Sequence, residues 1–312
     1  MAVTTDTDGA APDADVDPPP RAAPERDEWF YEFDTGWFRQ RETWSGNGLA
    51  IVHDDYELEV TPPHSGVNAG FGIAIAASGA YRRSVRGADQ VVDVNTGFLR
   101  FAGDEVSSEH FMPCRGATTH IAVDPGICGG FDKVAAVPAF SVTPRMALTH
   151  VRLLRAQDTG ADDATIETLA LELLSAAIEQ HDDRAMSWSR RTTGDARRRL
   201  VAAACEVIHE QDGRMSLVDI AKQIGSSPFH LSRVFREITG VTIPQYRRRL
   251  RTHEAVRRIS EGEHDLAALA VSTGFADHSH MTRSIVDQYG EPPSRLRDML
   301  QVYMAAGAIL PR

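Results

Sequence analysis

One local pattern is written twice in the C-terminal third of this 312-residue chain, and few folds accommodate it. The first copy is Ser216–Gly240, SLVDIAKQIGSSPFHLSRVFREITG. Ser216 is a favourable N-cap, and Asp219 follows at capping-box distance. Leu217, Ile220, Ala221 and Ile224 recur at helical spacing, and Gly225 supplies the left-handed residue that commonly ends a helix. Ser227-Pro228 starts a second helix, with proline in the first turn, where its missing N–H had no partner. Leu231, Val234, Phe235 and Ile238 face inward on it. Phe229, Ser232, Arg233 and Arg236 face outward, and Gly240 closes it. The second copy is Asp265–Gly290. Its Leu266, Leu269, Ala270, Gly274, Met281, Thr282, Arg283, Ile285 and Gly290 echo Leu217, Ile220, Ala221, Gly225, Leu231, Ser232, Arg233, Phe235 and Gly240. The offset is 49 residues before the inner turn and 50 after it, so one residue is inserted in the second turn. Self-similarity of this kind marks a duplicated supersecondary unit.

Between the copies lies Pro244–Ser260, a helical pattern with Tyr246, Leu250, Val256 and Ile259 on one side. Arg247, Arg248, Arg249, Arg251, Arg257 and Arg258 surround the rest, making it the most basic element of the chain. A single charged helical hairpin also reads as an ordinary solvated surface element. Two of them joined by an arginine-rich helix point instead to a double helix-turn-helix, which lays its second helix in the DNA major groove. Residues 197–300 resemble the DNA-binding domain of AraC/XylS-family transcription regulators. The motifs that carry the resemblance are DIAKQIGSSPFHLSRVFREITG, the QYRRRLR helix, and LAALAVSTGFADHSHMTRSIVDQYGEPPSRLR, in that order.

The resemblance implies two units entering adjacent major grooves on one DNA face, held apart by the linker helix. It implies base contacts from Phe229, Ser232 and Arg233 in the first unit, and from His278, Ser279, Thr282 and Arg283 in the second. Arg233 and Arg283 can each grip guanine with two donors, whereas Ser232 and Thr282 bond several base edges and specify little. Phe229 suits a thymine methyl. Ser227, Arg236 and Arg248 are the expected phosphate contacts, which position without specifying. His230 and His280 hold matching repeat positions, which suggests inward packing or a backbone role. The second unit departs from the family pattern at Ile285, Val286 and Asp287. The acid would repel phosphate, so the first unit is expected to supply more of the affinity. Pro292-Pro293 keeps the family's stop.

The net charge of -11 at first argues against a nucleic-acid partner, but the charge is divided. From Asp195 to Arg312 there are 17 Lys and Arg against 14 Asp and Glu, while the rest of the chain holds 16 against 30. A mildly basic C-terminal part attached to an acidic N-terminal part is compatible with DNA binding. Three cysteines, Cys114, Cys128 and Cys205, do not make a disulfide framework. No apolar run reaches membrane-spanning length, and the acidic, proline-rich start lacks a secretory signal, so a cytoplasmic protein without membrane contact is expected.

Residues 1–28 read as a disordered acidic tail. From 29 to 149 short apolar or alternating runs are broken by turn residues: Gly48–His53, Tyr56–Val60, Ala69–Ala76, Gln90–Arg100 and Thr118–Val123. That predicts an all-β barrel or sandwich, which can enclose a small ligand. Trp37, Trp44, Phe71, Phe98 and Phe101 are candidate pocket residues, with simple core filling as the alternative. Residues 162–189 predict a helix whose stripe includes Ile166, Leu169, Leu173 and Ile178, suited to packing on the barrel, on a twin helix of a second chain, or both. Ser189–Gly194 reads as a hinge and Asp195–Glu210 as a further helix.

The fold class expected is therefore α+β and multidomain. Residues 29–189 form a cupin-like barrel or sandwich with a dimerisation helix, and 195–312 form an all-α double helix-turn-helix with units at 216–240 and 265–290. The resemblance implies a non-enzymatic, one-component regulator, a homodimer with no cofactor. It binds double-stranded DNA, acts on RNA polymerase as an activator, and is controlled by a small-molecule effector in the barrel. Two enzymatic alternatives stand beside it. A metal-dependent cupin fused to a DNA reader would need His53, His110 or His120 to converge with a carboxylate. His110, Cys114, His120 and Cys128 fall within nineteen residues but lack compact zinc-site spacing. A methyl-accepting repair protein would need a larger cysteine cluster than Cys114 and Cys128.

Overall fold

The structure is a computed structural model that describes residues 28–33, 36–124, 126, 139–185, 191–211 and 215–301. Residues 1–27 of the expected tail, Cys128, and residues 189–190 of the expected hinge lie outside the described residues.

The N-terminal part consists of two antiparallel sheets. Sheet A has seven strands in the order β1 (Glu28–Phe33), β2 (Gly36–Gly46), β3 (Leu49–Leu58), β10 (Cys114–Val123), β5 (Phe71–Ser78), β8 (Thr96–Arg100), β11 (Ala139–Ser141). Sheet B has four, in the order β4 (His64–Val67), β9 (Glu105–Glu109), β6 (Tyr81–Val85), β7 (Ala88–Val92). Side chains alternate between the faces of each strand. On sheet A the outward set is Leu49, Ile51, Phe71, Ile73, Ile75, Leu99, Phe101, Ile121 and Val123, which packs with the two helices described next. The inward set meets sheet B, where Tyr56, Leu58, Ala74, Ala76, Tyr81, Val92 and Phe98 form a second, smaller core.

The sequence pattern locates this region but divides it differently. Gly48–His53 and Tyr56–Val60 are one strand, β3, and Gln90–Arg100 is two, β7 and β8, parted by a turn at Asp93–Thr96. The region expected to be β-rich to residue 149 ends earlier, because α1 occupies Pro144–Asp158. Its start is marked by Thr143, whose side chain caps Met146 N, and by Pro144 in the first turn. Its buried stripe includes Thr149 and His150 beside Met146, Val151 and Leu153, so no clean apolar periodicity betrays it. Helix α2 runs Asp163–Ala185. Helix α3 is Arg191–Glu210, so Gly194 sits inside a helix rather than in a hinge.

The duplication is realised in full. Helices α4 (Leu217–Gln223) and α7 (Leu266–Ser272) have equal length at an offset of 49, and α5 (Pro228–Thr239) and α8 (His278–Tyr289) have equal length at an offset of 50. Gly240 and Gly290 end α5 and α8 at φ 78° and 77°, the left-handed conformation that a Cβ would strain. The repeat also extends beyond Gly290. Helix α9 (Pro293–Gln301) follows α8 as α6 (Ile243–Ser260) follows α5, with Pro293 and Leu296 buried where α6 has Ile243 and Tyr246.

The two units pack in separate clusters, the second of them continuous with the sheet A core. Leu231, Val234 and Phe235 of α5 pack with Ile220 and Ala221 of α4, Tyr246 of α6, and Ala204, Val207 and Ile208 of α3. Met281, Ile285 and Tyr289 of α8 pack with Leu269 and Ala270 of α7, Ala255, Val256 and Ile259 of α6, and Leu296 of α9. A fully buried aromatic or leucine of this kind contributes about 1.5–3 kcal/mol.

The first unit is joined to sheet B. Ala80 and Val91 enter its core. Arg82 grips Glu206 of α3 with two bonds of 2.7 Å each and also pairs with Glu109 at 2.7 Å. Asp93, fully buried in the turn after β7, accepts from the Tyr246 hydroxyl and from Asn95 N, and meets His209 Nε2 at 2.9 Å. Replacing Asp93 by alanine takes the partner from three polar groups and is expected to cost about 2–3 kcal/mol in urea denaturation. Tyr246→Phe, which leaves His209 and Asn95 on the carboxylate, should cost about 1 kcal/mol. Wild-type stability in Asp93→Ala would refute the role of this turn as the joint.

Candidate nucleic-acid interface

Helix α5 begins at Ser227, whose hydroxyl accepts from His230 N at 3.2 Å, and α8 begins at Asp277, whose carboxylate accepts from His280 N at 2.7 Å. These caps fix where each helix starts, and therefore which side chains lead its exposed face. The inward positions are taken by the cores just described. Phe229 is left 81% exposed, an unusual cost for a phenylalanine with no partner among the described residues. Arg233, Arg236, His278, Ser279 and Arg283 are exposed beside it, and Ser232 and Thr282 are half-buried. All seven expected base contacts thus lie on the outer faces of α5 and α8. Phe229 and Ser279, Ser232 and Thr282, and Arg233 and Arg283 occupy equivalent positions at an offset of 50. Arg233, Arg236 and Arg283 form no ion pair among the described residues, so their charge faces outward uncompensated.

The expected phosphate contacts divide. Arg236 stands free on the face, whereas its equivalent in α8 is Val286, 40% exposed. Ser227 is exposed but already occupied as a cap. Arg248 faces Asp287 of α8 at 3.6 Å, an ion pair exposed enough to open. The acid expected to repel phosphate is therefore held by a linker arginine.

The other linker arginines are mostly structural. Arg247 donates to Met215 O ahead of α4, and Arg251 donates to Gly274 O at 3.0 Å behind α7. Arg257 is paired with Glu254 and Glu261, and Arg258 with Glu263 and Ser272. The basic helix is a strut whose guanidinium groups cap backbone carbonyls of both units, which the sequence could not distinguish from a DNA-facing surface. The two matching histidines also part company. His280 packs edge-on against Phe275 at 5.4 Å, while His230 is exposed.

The five aromatics expected around one pocket do not converge. Phe98 alone lies between the sheets. Phe71 and Phe101, with ring centres 5.6 Å apart, are on the outer face of sheet A under the helices. Trp44 packs against that same cluster and donates to Asp163 of α2 at 2.9 Å. Trp37 stacks on Phe30 at the β1–β2 edge, 6.3 Å between ring centres. Strand alternation sends odd-numbered residues of β5 and β8 outward and Phe98 inward, a parity invisible until the register is known.

The proposed dimerisation stripe likewise faces its own sheet. Ile166, Leu169 and Leu173 are buried in the sheet A core and Ile178 packs against it. Packing on the barrel, one of the two partners considered for α2, uses these side chains.

Between the sheets the chain carries charge that no local sequence signal marks. His120 Nε2 meets Asp54 at 2.7 Å, Gln40 donates to Asp54 at 2.8 Å, and Arg100 approaches His120 Nδ1 at 3.3 Å. Arg83 lies over the Phe98 ring, 4.0 Å from its centre. Burial lowers its pKa to about 10, which leaves it charged at neutral pH. His110 touches Cys114 at 3.4 Å and packs beside Tyr56 and Tyr81, whereas His53 is on the outer face bonded to Gln157 and Thr119. Among the described residues no three His, Cys, Asp or Glu side chains gather as a metal site.

A family model described as a helix-turn-helix domain matches residues 220–299, the span that holds both units and the strut between them. The C-terminal region is an AraC-type helix-turn-helix domain. MarA, the multiple antibiotic resistance protein of Escherichia coli (strain K12), is 29% identical over 83 residues, covering 27% of this chain and 65% of MarA. AdaA of Bacillus subtilis (strain 168), a bifunctional transcriptional activator and DNA repair enzyme, is 26% identical over 86 residues, or 28% of this chain and 41% of AdaA. The chain thus spans less than two thirds of the length of these relatives. Unsaturated fatty acid bound ToxT from Vibrio cholerae strain SCE256 aligns over 83% of this chain and 98% of its own, at 12% identity and a TM-score of 0.33. The AraC-type match stops short of the sheets. No helix among the described residues is long and apolar enough to cross a membrane.

Proposed function

We propose that this protein is a sequence-specific transcription regulator whose AraC-type domain reads double-stranded DNA under the control of a small molecule held between the N-terminal sheets. The observation that carries the reading is the duplicated outer face of α5 and α8, with Arg233 and Arg283 exposed, free of ion pairs among the described residues and at equivalent positions. Phe229, Ser232, His278, Ser279 and Thr282 complete the base-reading set, and Arg236 leads the phosphate contacts, with Ser227 and Arg248 in support. The Arg82, Asp93 and Tyr246 contacts between sheet B and the first unit give a route by which ligand occupancy biases DNA binding, for which a coupling of about 1–3 kcal/mol suffices. RNA polymerase is the downstream partner in this reading. Pairing of two copies would use the outward face of α2, at Leu171, Glu172, Ser175 and Glu179, because the inward face is occupied.

Selection of a binding site from random duplex DNA by the full chain tests the proposal. Enrichment of one motif with two half-sites is expected. Binding to it should weaken about a thousandfold or more between 50 and 200 mM salt if about six phosphates are engaged. Failure to enrich any sequence would overturn the reading.

A further inference from the structure

The inner face of sheet B carries a polar row. Gln90 on β7, Arg83 on β6, Ser108 on β9 and His64 on β4 are successive register partners. Arg83 is 2% exposed and Gln90 8%. Among the described residues no protein group takes the hydrogen bonds of Arg83 Nη1 and Nη2, and none pairs with either end of the Gln90 amide. The other charges between the sheets answer one another through Asp54, His120 and Arg100. A buried guanidinium without an acceptor is costly, and a fold that needed only packing here would place an apolar residue.

We propose that this face binds the carboxylate of a small organic acid, with Arg83 and the Gln90 amide gripping the carboxylate and Phe98, Ala74 and Ala76 receiving the apolar remainder. The inference rests on reading the N-terminal sheets as the effector domain. The guanidinium fork matches a planar carboxylate bidentately. Ala74 and Ala76, both buried, present only methyl groups from sheet A beside Phe98.

The same two strands carry the joint to the DNA-binding domain on their other face. Arg82 and Val91, which pair with each other across β6–β7, flank Arg83 and Gln90 in sequence. Arg82 holds Glu206 of α3, and Val91 enters the core of the first unit. An acid that draws Arg83 and Gln90 together therefore acts on the strands to which α3 is bound.

The test uses the full chain with benzoate, hexanoate and decanoate as probes, each against its uncharged amide and against inorganic phosphate. At least one acid should raise Tm by about 3 °C or more at about 10 mM, while its amide and phosphate do not. Arg83→Met should abolish that shift, while the ligand-free variant still unfolds in a single cooperative transition, because methionine fills the buried space beside Phe98 that the arginine stem leaves. Gln90→Leu, which keeps Arg83, should weaken acid binding about tenfold by calorimetry. The proposal is overturned if no acid binds, if amide or phosphate binds as well as the acid, or if both variants retain full acid affinity. Those outcomes leave site selection from random DNA intact, so they separate loss of this inference from loss of the regulator reading.

Discussion

Changing Arg233 and Arg283 together to alanine is expected to lower affinity for the selected DNA site by roughly 30- to 10⁴-fold, at about 1–3 kcal/mol for each bidentate grip on guanine. Both side chains are exposed and free of ion pairs among the described residues, so the fold should survive and far-UV circular dichroism should not change. Non-specific binding should fall far less, since phosphate contacts other than these two remain. The single changes should be unequal. Helix α5 follows Arg233 with Arg236 one turn on, whereas α8 follows Arg283 with Val286 and Asp287, the latter engaged by Arg248. Arg233→Ala should therefore cost more than Arg283→Ala. Arg257→Ala is the control, because its guanidinium is committed to Glu254 and Glu261 and should leave site preference unchanged. An unaltered ratio of specific to non-specific binding in the double variant would remove α5 and α8 as the reading elements.

The helical half of the molecule is legible because its signals are local. Ser216, Ser227 and Gly240 act where they stand, and each caps or ends the helix that the sequence assigns to it. The duplication supplies an internal control, since equal helix lengths at offsets of 49 and 50 are what one inserted turn residue requires. The roles of individual arginines are less legible. Arg236 and Arg251 are the same residue type on neighbouring helices, but among the described residues one has no ion pair and the other caps Gly274, a difference set by tertiary packing. The sheet half is legible only as a class. Which face Phe98 or Phe101 takes depends on register, and register is fixed by partners far away in sequence, such as β3 against β10. The interior cations Arg83 and Arg100 carry no signal, because YRRSV and FLR read as strand and strand end wherever they point.

Acid is expected to destabilise this protein from about pH 6.5 downward, before its carboxylates begin to be protonated. His150 on α1 is held near pKa 3 by burial and then by His253 and His53, and His253 on α6 is held near 4 by burial, which outweighs the opposing pull of Glu254. His150 meets Thr119 at 2.8 Å and faces His53 and His253, while His253 faces Glu254, Arg257 and Asp93. Both folded values lie below the ordinary 6.5, so the unfolded chain binds protons first as pH falls. Stability is therefore complete above about 6.5 and is lost on acidification toward about 4, at about 1.4 kcal/mol per pH unit for each imidazole. At about pH 4.5 the pair costs roughly 5 kcal/mol, a large part of the roughly 5–15 kcal/mol typical of a folded domain. His110, held near 4 by burial and by His64, adds in the same direction. Thermal denaturation should show Tm falling by about 10 °C between about pH 7 and pH 5. The double change His150→Gln and His253→Gln should lower Tm at neutral pH but flatten this acid limb. A limb of unchanged steepness would show that other groups govern it. His150 on α1 and His253 on the linker helix lie close enough to act on each other's charge, so protonating both sets like charges against each other. Parting of the N-terminal domain from the second helix-turn-helix unit is thus the expected first step of acid unfolding.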